Sequence, residues 1–80
     1  MPKSVVIASI PLNRRECARV ALKALKRRRL VDVRTMLNLP DLGDEPFSTA
    51  KGVSVDVVLL PELIRALEEA ETRARQLGWL

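Results

Sequence analysis

Histidine is absent from this chain, cysteine occurs only once, and only two residues, Phe47 and Trp79, are aromatic. Cys17 has no partner for an intrachain disulfide, and the lack of histidine excludes the usual zinc sites and a Cys–His nucleophile pair. The three glycines are far apart in the chain, so no glycine-rich phosphate-binding loop is present. Because only two residues are aromatic, the hydrophobic core must be aliphatic. We expect no metal or other cofactor.

Long hydrophobic runs are also missing. The most apolar stretch, residues 5–10, is too short for a signal-peptide core or a membrane span, and Pro11 ends it. We therefore expect a cytoplasmic protein, associated with the nucleoid if its source is bacterial.

A chain of 80 residues forms one domain, residues 1–80, and buries only about 60–65% of its unfolded surface. A second subunit would help to stabilise it.

The charge is unevenly distributed along the sequence. Residues 1–52 contain eleven Lys and Arg against five Asp and Glu, whereas residues 53–80 contain three against five. An anionic partner is therefore expected to bind the first part of the chain.

The most regular pattern lies in residues 57–77, where apolar side chains recur at spacings of three and four. This spacing predicts an amphipathic helix. Asp56 is placed to cap its start, Pro61 either opens or weakens its first turn, and Gly78 follows its end. We expect the apolar stripe to pack on the preceding segments and to contribute to a dimer. The stripe consists of Leu60, Leu63, Ile64, Leu67, Ala70, Ala74 and Leu77.

Three segments, at about 4–10, 30–38 and 47–55, have the composition and alternation of β-strands. Gly52 lies inside the last of them, and an interior glycine indicates a bulge, a bend or the close approach of another backbone. Residues 16–25, ECARVALKAL, are ambiguous. Their helix propensity and an apolar stripe slightly favour a helix, but they also alternate as a half-buried strand does. The residues alone leave both structures open.

Residues 38–46, NLPDLGDEP, contain two prolines, a glycine and three acids, which predicts an exposed loop. The acids Asp41, Asp44 and Glu45 are better explained as solvating charges than as a catalytic acid–base pair. We therefore expect that the protein is not an enzyme.

Residues 26–29, KRRR, lie between two apolar segments and are therefore expected at the turn that connects them. This basic run is either a solvated hairpin tip or a patch that binds phosphates. Four further cations in the same half of the chain would reinforce a phosphate-binding patch. They are Arg19, Lys23, Arg34 and Lys51.

The order RVALKALKRRRLVDVRTML, an acidic loop and STAKGVSVDVVLLPELIRALEEA resembles the positive cofactor 4 family of single-stranded-DNA-binding transcriptional coactivator domains. The pieces most similar to the family are LVDVR (30–34), KGVSV (51–55) and LLPELIRAL (59–67), and VIASIPLNRRE (6–16) resembles the opening of its bacterial members. The resemblance implies an α+β fold, in which a curved four-stranded antiparallel β-sheet precedes one long C-terminal amphipathic helix, and a homodimer. It also implies that residues 16–25 form a strand.

Five positions match nucleic-acid contacts of the family. Lys26 and Arg28 match basic positions at the hairpin tip, and Arg34 matches the arginine of the I/V-D-I/V-R motif. Lys51 and Gly52 match the lysine and glycine of a K-G pair. These matches imply a basic groove on the sheet that binds a single strand.

Each of these matches has a structural alternative, and the chain also departs from the family. Arg34 has an alternative partner in Asp32, two residues away, and Lys51 has an alternative role in guarding a sheet edge. Leu25 and Leu37 stand where characterised members have aromatic residues, whose stacking is typically worth ~1–3 kcal/mol per base. Strict alternation also puts Arg34 and Leu37 on opposite faces unless a bulge intervenes. Possible additional contacts are Leu25, Arg27, Arg29 and Leu37.

Together these features predict a non-enzymatic homodimer that binds single-stranded DNA, or RNA, and regulates transcription as a coactivator, with the transcription machinery among its partners. Without the aromatic positions, we expect weaker and more salt-sensitive binding than in the best members of the family. The alternative is a protein–protein interaction module whose basic patch binds an acidic partner.

Overall fold

The computed structural model of the chain describes residues 3–39, 43 and 46–80. Four antiparallel strands form one sheet in the order β1-β2-β3-β4, and a helix follows them, so the predicted fold class is confirmed. Most of the predicted loop at 38–46, including Asp41, Asp44 and Glu45, lies outside the described residues. The elements are β1 (Lys3–Pro11), β2 (Glu16–Leu25), β3 (Arg28–Leu37), β4 (Phe47–Asp56), a 3₁₀ turn (Val57–Leu59) and α1 (Leu60–Gln76).

Residues 16–25 form strand β2, as the family resemblance implies, and the helix that their propensity favours is wrong. The strand is paired on both sides, with β3 along its whole length and with β1 over residues 17–24. Ala21 at its middle is only 2% exposed. The many cross-strand contacts of a central strand outweigh the modest helix propensity of alanine, leucine and lysine.

Directly opposed residues of an antiparallel sheet project to the same side. Most of the residues that share one side of this sheet are aliphatic. We call this side the apolar face. It includes two rows that cross all four strands, Val5–Leu22–Val31–Val55 and Ala8–Val20–Val33–Val53.

The opposite side, which we call the polar face, alternates with these rows. Its members come from all four strands and include Ser4, Val6, Ser9, Arg19, Ala21, Lys23, Asp32, Arg34, Met36, Ser48, Gly52 and Ser54.

The helical segment ends as the sequence predicts, but its first residues, Val57–Leu59, form a 3₁₀ turn and the α-helix begins only at Leu60. The Asp56 side chain accepts a hydrogen bond from the Val58 amide at 3.1 Å and thereby caps the 3₁₀ turn. Pro61 lies in the first turn of α1, where its missing N–H costs nothing. At the other end Gly78 has φ +78°, its amide donates to the Arg75 carbonyl at 3.1 Å, and the Trp79 amide donates to the Ala74 carbonyl at 2.8 Å. These two bonds form a Schellman cap.

The prediction that α1 packs on the preceding segments of its own chain is wrong. None of its residues is buried, and Ile64 and Leu67 are 45% and 61% exposed. The helix leaves the end of β4 through the 3₁₀ turn, and its apolar stripe is left largely uncovered. No helix among the described residues is long and apolar enough to cross a membrane.

Candidate nucleic-acid interface

The basic run at residues 26–29, which we call the basic tip, caps the hairpin between β2 and β3. Leu25 pairs directly with Arg28, so Lys26 and Arg27 form a two-residue turn. Lys26 has φ +56°, a left-handed conformation that costs a lysine about 1–2 kcal/mol. The Arg29 guanidinium donates to the Arg28 carbonyl at 3.3 Å and so folds back over the turn. All four cations of the basic tip are exposed.

A buried carboxylate organises the centre of the polar face. Asp32 is only 3% exposed, and its Oδ1 accepts a hydrogen bond from Arg34 Nη2 at 2.9 Å. Arg34 Nε also donates to both carboxylate oxygens, each at 3.3 Å. The Ser54 hydroxyl donates to the same carboxylate, and Lys23 Nζ lies 3.5 Å from Oδ2. A single acid thus contacts cations of two strands and offsets one of their two positive charges.

The ionisation of Asp32 follows from these contacts. The hydrogen bonds from Arg34 lower the pKa of the Asp32 carboxyl to about 2, with further help from the Ser54 hydroxyl and the Lys23 charge, and against the effect of burial. In return, the hydrogen bond to Asp32 raises the pKa of the Arg34 guanidinium. Both groups are therefore charged at neutral pH.

Arg34 is held from a second direction as well. Its Nη1 donates to the Thr49 carbonyl at 3.1 Å, and the side chain is only 20% exposed. The guanidinium therefore spans from its own strand to β4. The pairing with Asp32 that was the structural alternative for Arg34 is present, and its assignment to nucleic acid stays a prediction.

Strand β4 bulges where it receives the Arg34 side chain. Arg34 pairs with Gly52 and Met36 with Ser48, so residues 49–51 oppose the single residue Thr35. The Thr49 hydroxyl donates to the Thr35 carbonyl at 2.7 Å and accepts from the Lys51 amide at 3.1 Å. The Thr49 side chain thus ties the bulge to β3.

Gly52 allows the two backbones to come close beside this bulge. A Cβ atom at Gly52 would lie 2.5 Å from the Val33 carbonyl oxygen and 2.8 Å from the Arg34 Cα. The prediction that the interior glycine marks a bulge or a close backbone approach is confirmed in both respects. Lys51, its neighbour in the K-G pair, is exposed.

The structure brings some of the predicted site residues together and separates others. Arg34, Lys51 and Gly52 meet at the β3–β4 pairing. Arg28 lies six residues earlier on β3, about 20 Å away at roughly 3.3 Å per residue. Leu25 projects to the polar face, as Arg34 does. Leu37 projects to the apolar face, because β3 pairs with β2 without a bulge as far as Leu37.

Two residues of β4 that support the site were missed by the sequence analysis. Ser54 and Thr49 hold Asp32 and Arg34 from the neighbouring strand. Ser54 lies directly opposite Asp32, and this register becomes visible only once the β4 bulge is placed. Thr49 acts through its backbone carbonyl inside the bulge, and no residue pattern reveals that contact. Within the described residues, no cluster of histidine, cysteine and acids could hold a metal ion.

Comparisons with solved structures identify the fold. The chain is similar to BPSL1147, a PC4 homolog from Burkholderia pseudomallei, where PC4 denotes positive cofactor 4. In its tetragonal crystal form the TM-score is 0.75 at 26% identity, over 86% of this chain and 98% of that one. In the orthorhombic form the TM-score is 0.77 at 26% identity, over 86% and 90% of the two chains. No protein-family model and no curated protein sequence matches this chain.

Proposed function

We propose that this chain, a PC4-like protein of the bacterial type, is a homodimeric single-stranded-DNA-binding protein that regulates transcription. The observation that carries the proposal is the position of the basic tip, whose four exposed cations project from the end of a PC4-like sheet. Exposed, unneutralised cations bind the phosphate backbone with little energetic cost of desolvation. The absence of an aromatic side chain at Leu25 and Leu37 makes phosphate contacts, rather than base stacking, the main source of affinity.

The surface area of the chain supports a homodimer. A compact monomer of 9.0 kDa exposes about 4,850 Å² by the usual scaling, whereas this chain exposes 6792 Å². The excess, about 1,900 Å², is more than twice the ~800 Å² that each partner buries in a standard interface. The radius of gyration is 14.8 Å, against about 12 Å expected for 80 residues.

The excess surface is apolar in two places that complement each other. The helix stripe exposes Leu67, and the apolar face exposes Val5 and Val53 by 57% and 50%. An apolar groove of about 400 Å³ lies beside Leu22 and Val57. We infer that the helix of one subunit covers apolar surface of the other, because none of the described residues of a single chain covers either region.

A sedimentation experiment tests the dimer. Leu67→Glu should dissociate or unfold it, since the variant places an unpaired charge in the apolar contact. Glu68→Leu is a control on the neighbouring helix position and should leave the dimer intact. A folded wild-type monomer at micromolar concentration would contradict the homodimer.

Binding to matched single- and double-stranded oligonucleotides at two salt concentrations tests the function. We expect tighter binding to the single strand and a steep loss of affinity with salt. An acidic polypeptide at equal charge should compete poorly. If it displaced the oligonucleotide completely, the protein-interaction alternative would be favoured instead.

A further inference from the structure

A second cluster of cations lies on the polar face, away from the basic tip. It surrounds a cavity of about 180 Å³ that is open to solvent on one side. Arg19, Lys23 and Arg34 line the cavity together with Asp32, the only acid among the described lining residues. The four charges leave a net charge of +2, so the cavity attracts anions.

The single acid is already engaged. Asp32 accepts hydrogen bonds from Arg34 and Ser54 and lies in an ion pair with Lys23. Arg34 is further held by the Thr49 carbonyl. These contacts pair the carboxylate with Arg34 and Lys23, and no acid among the described residues forms an ion pair with Arg19.

Arg19 is the cation that these contacts do not satisfy. It lies directly opposite Arg34 across the β2–β3 pairing, where two like charges repel. Its Nε is buried and has no hydrogen-bond partner among the described residues. Buried polar groups are normally paired, and one that lacks a protein partner indicates a water molecule or an ion. An anion would satisfy the Nε donor and offset the repulsion together.

The rest of the cavity suits a phosphate group. The hydroxyl-bearing side chains of Ser4 and Ser48 line it and supply neutral donors. Lys23 is 42% exposed, so it can reach a ligand in the cavity while it remains near Asp32. Charge-assisted hydrogen bonds between a guanidinium and phosphate oxygens are among the strongest that a protein makes.

We propose that Arg19, assisted by Lys23, forms a subsite on the polar face that binds one phosphate group. Arg34 is a positioning residue in this arrangement, since Asp32 and the Thr49 carbonyl hold its guanidinium and its side chain links β3 to β4. The phosphate belongs either to the backbone of a bound single strand or to a free phosphate ion. The first source rests on the proposed function, and the second does not.

Two variants isolate the subsite. Arg19→Gln removes the charge and the guanidinium, and relief of the repulsion from Arg34 should keep the sheet folded. Arg19→Lys keeps the charge but loses the planar fork, so it should bind with intermediate affinity. Arg14→Gln is the matched control, because Arg14 is exposed in the turn between β1 and β2. Circular dichroism checks that each variant is folded.

The first measurement uses inorganic phosphate. Added phosphate, compared with chloride at equal ionic strength, should raise the melting temperature of the wild type and of Arg14→Gln but not of Arg19→Gln. The second measurement uses a single-stranded oligonucleotide. The slope of log K against log salt should be smaller by about 0.7 in Arg19→Gln than in the wild type.

The two measurements separate the possible sources. Arg19 dependence with the oligonucleotide supports a backbone phosphate. Arg19 dependence with inorganic phosphate alone, in a protein that binds no oligonucleotide, retains the subsite and overturns the proposed function. If folded Arg19→Gln and the wild type behave alike in both measurements, the subsite is overturned, and the proposed function stands or falls on the wild-type oligonucleotide result.

Discussion

The basic tip and the centre of the polar face are both rich in arginine and lysine, but the surroundings of these cations differ. At the tip, four consecutive cations are exposed, and none of them forms an ion pair with an acid of the described residues. At the centre, Arg34 is 20% exposed and bound to a carboxylate, a hydroxyl and a carbonyl. Exposed cations are available to a ligand and contribute little to stability. A buried, paired cation is not available to a ligand, and removal of its partner destabilises the fold. Charge alone therefore does not identify the residues that bind.

The largest difference between the two regions should appear when the backbone contact at the centre is blocked. Gly52→Val places a side chain 2.5 Å from the Val33 carbonyl oxygen, so β3 and β4 must separate. We expect a loss of about 3 kcal/mol in the free energy of unfolding, at the upper end of the usual cost of forcing extra atoms into filled space. Urea denaturation measures it. The control is Ala50→Val, at an exposed position of the same strand, whose free energy of unfolding should equal that of the wild type. A Gly52→Val variant with unchanged stability would show that the strands do not approach so closely.

The next largest effect should come from the buried carboxylate. The folded-state pKa of Asp32, about 2, lies below the unfolded value near 3.8. A depressed carboxyl pKa stabilises the fold above the unfolded pKa, and this stabilisation is lost as the pH falls through the folded pKa. About 2 kcal/mol should therefore disappear between pH 5 and roughly pH 2.

Asp32→Asn should be less stable than the wild type at pH 7 by a similar amount and should lack this acid-dependent loss. Thermal melts of both proteins from pH 7 to pH 2 make the comparison. Parallel pH profiles in the two proteins would mean that Asp32 is not selectively stabilised in its charged form.

At the tip, the effect should be on binding instead of stability. The Lys26→Ala and Arg28→Ala double variant removes two exposed charges, so its free energy of unfolding should change by no more than about 0.5 kcal/mol. Its salt slope for a single strand should be smaller by roughly 1.4 if each residue contacts a phosphate. The Arg14→Ala and Arg15→Ala double variant removes the same charge from another exposed turn. Equal losses of binding in both variants would mean that net charge alone drives association.

The smallest expected effect concerns the strain in the turn. Lys26→Gly relieves a left-handed backbone conformation, and the added flexibility of glycine cancels part of the gain. We expect a net stabilisation of about 0.5 kcal/mol by urea denaturation. Arg27→Gly is the control, since Arg27 has no positive φ and the same substitution should be slightly destabilising there. If Arg27→Gly were more stable than Lys26→Gly, the backbone strain would not lie at Lys26.

Much of the fold follows from local patterns in the sequence. The alternation in β3, the aspartate before the helix and the glycine after it each act within a few residues, and each is found as predicted. Strand β2 is different, because its structure depends on pairing with β1 and β3. Helix propensity is a local quantity and cannot report those contacts. The family resemblance supplied what the residues alone did not.

The roles of Arg19 and Arg34 depend on register and are not visible from composition. The two-residue turn at Lys26 and Arg27 puts Leu25 opposite Arg28, and counting back along the hairpin puts Arg19 opposite Arg34. That count is possible from the sequence once the turn is known. The engagement of Asp32 by Ser54 also requires the position of the β4 bulge, which depends on backbone geometry. The sequence therefore locates the basic surface, and the structure distinguishes its paired from its unpaired cations.

The two bulges of the sheet impose different rules on changes in chain length. Side chains alternate with a period of two, so a single extra residue exchanges the faces of all that follow in that strand, whereas two extra residues do not. In β1 the single extra residue Ile7 brings both Val5 and Ile10 to the apolar face. In β4 the bulge adds two residues, and Ser48 and Ser54 stay on the polar face together. A paired insertion at residues 49–51 should therefore keep the two faces of β4, whereas a deletion of Ile7 alone should exchange the two faces at one end of β1.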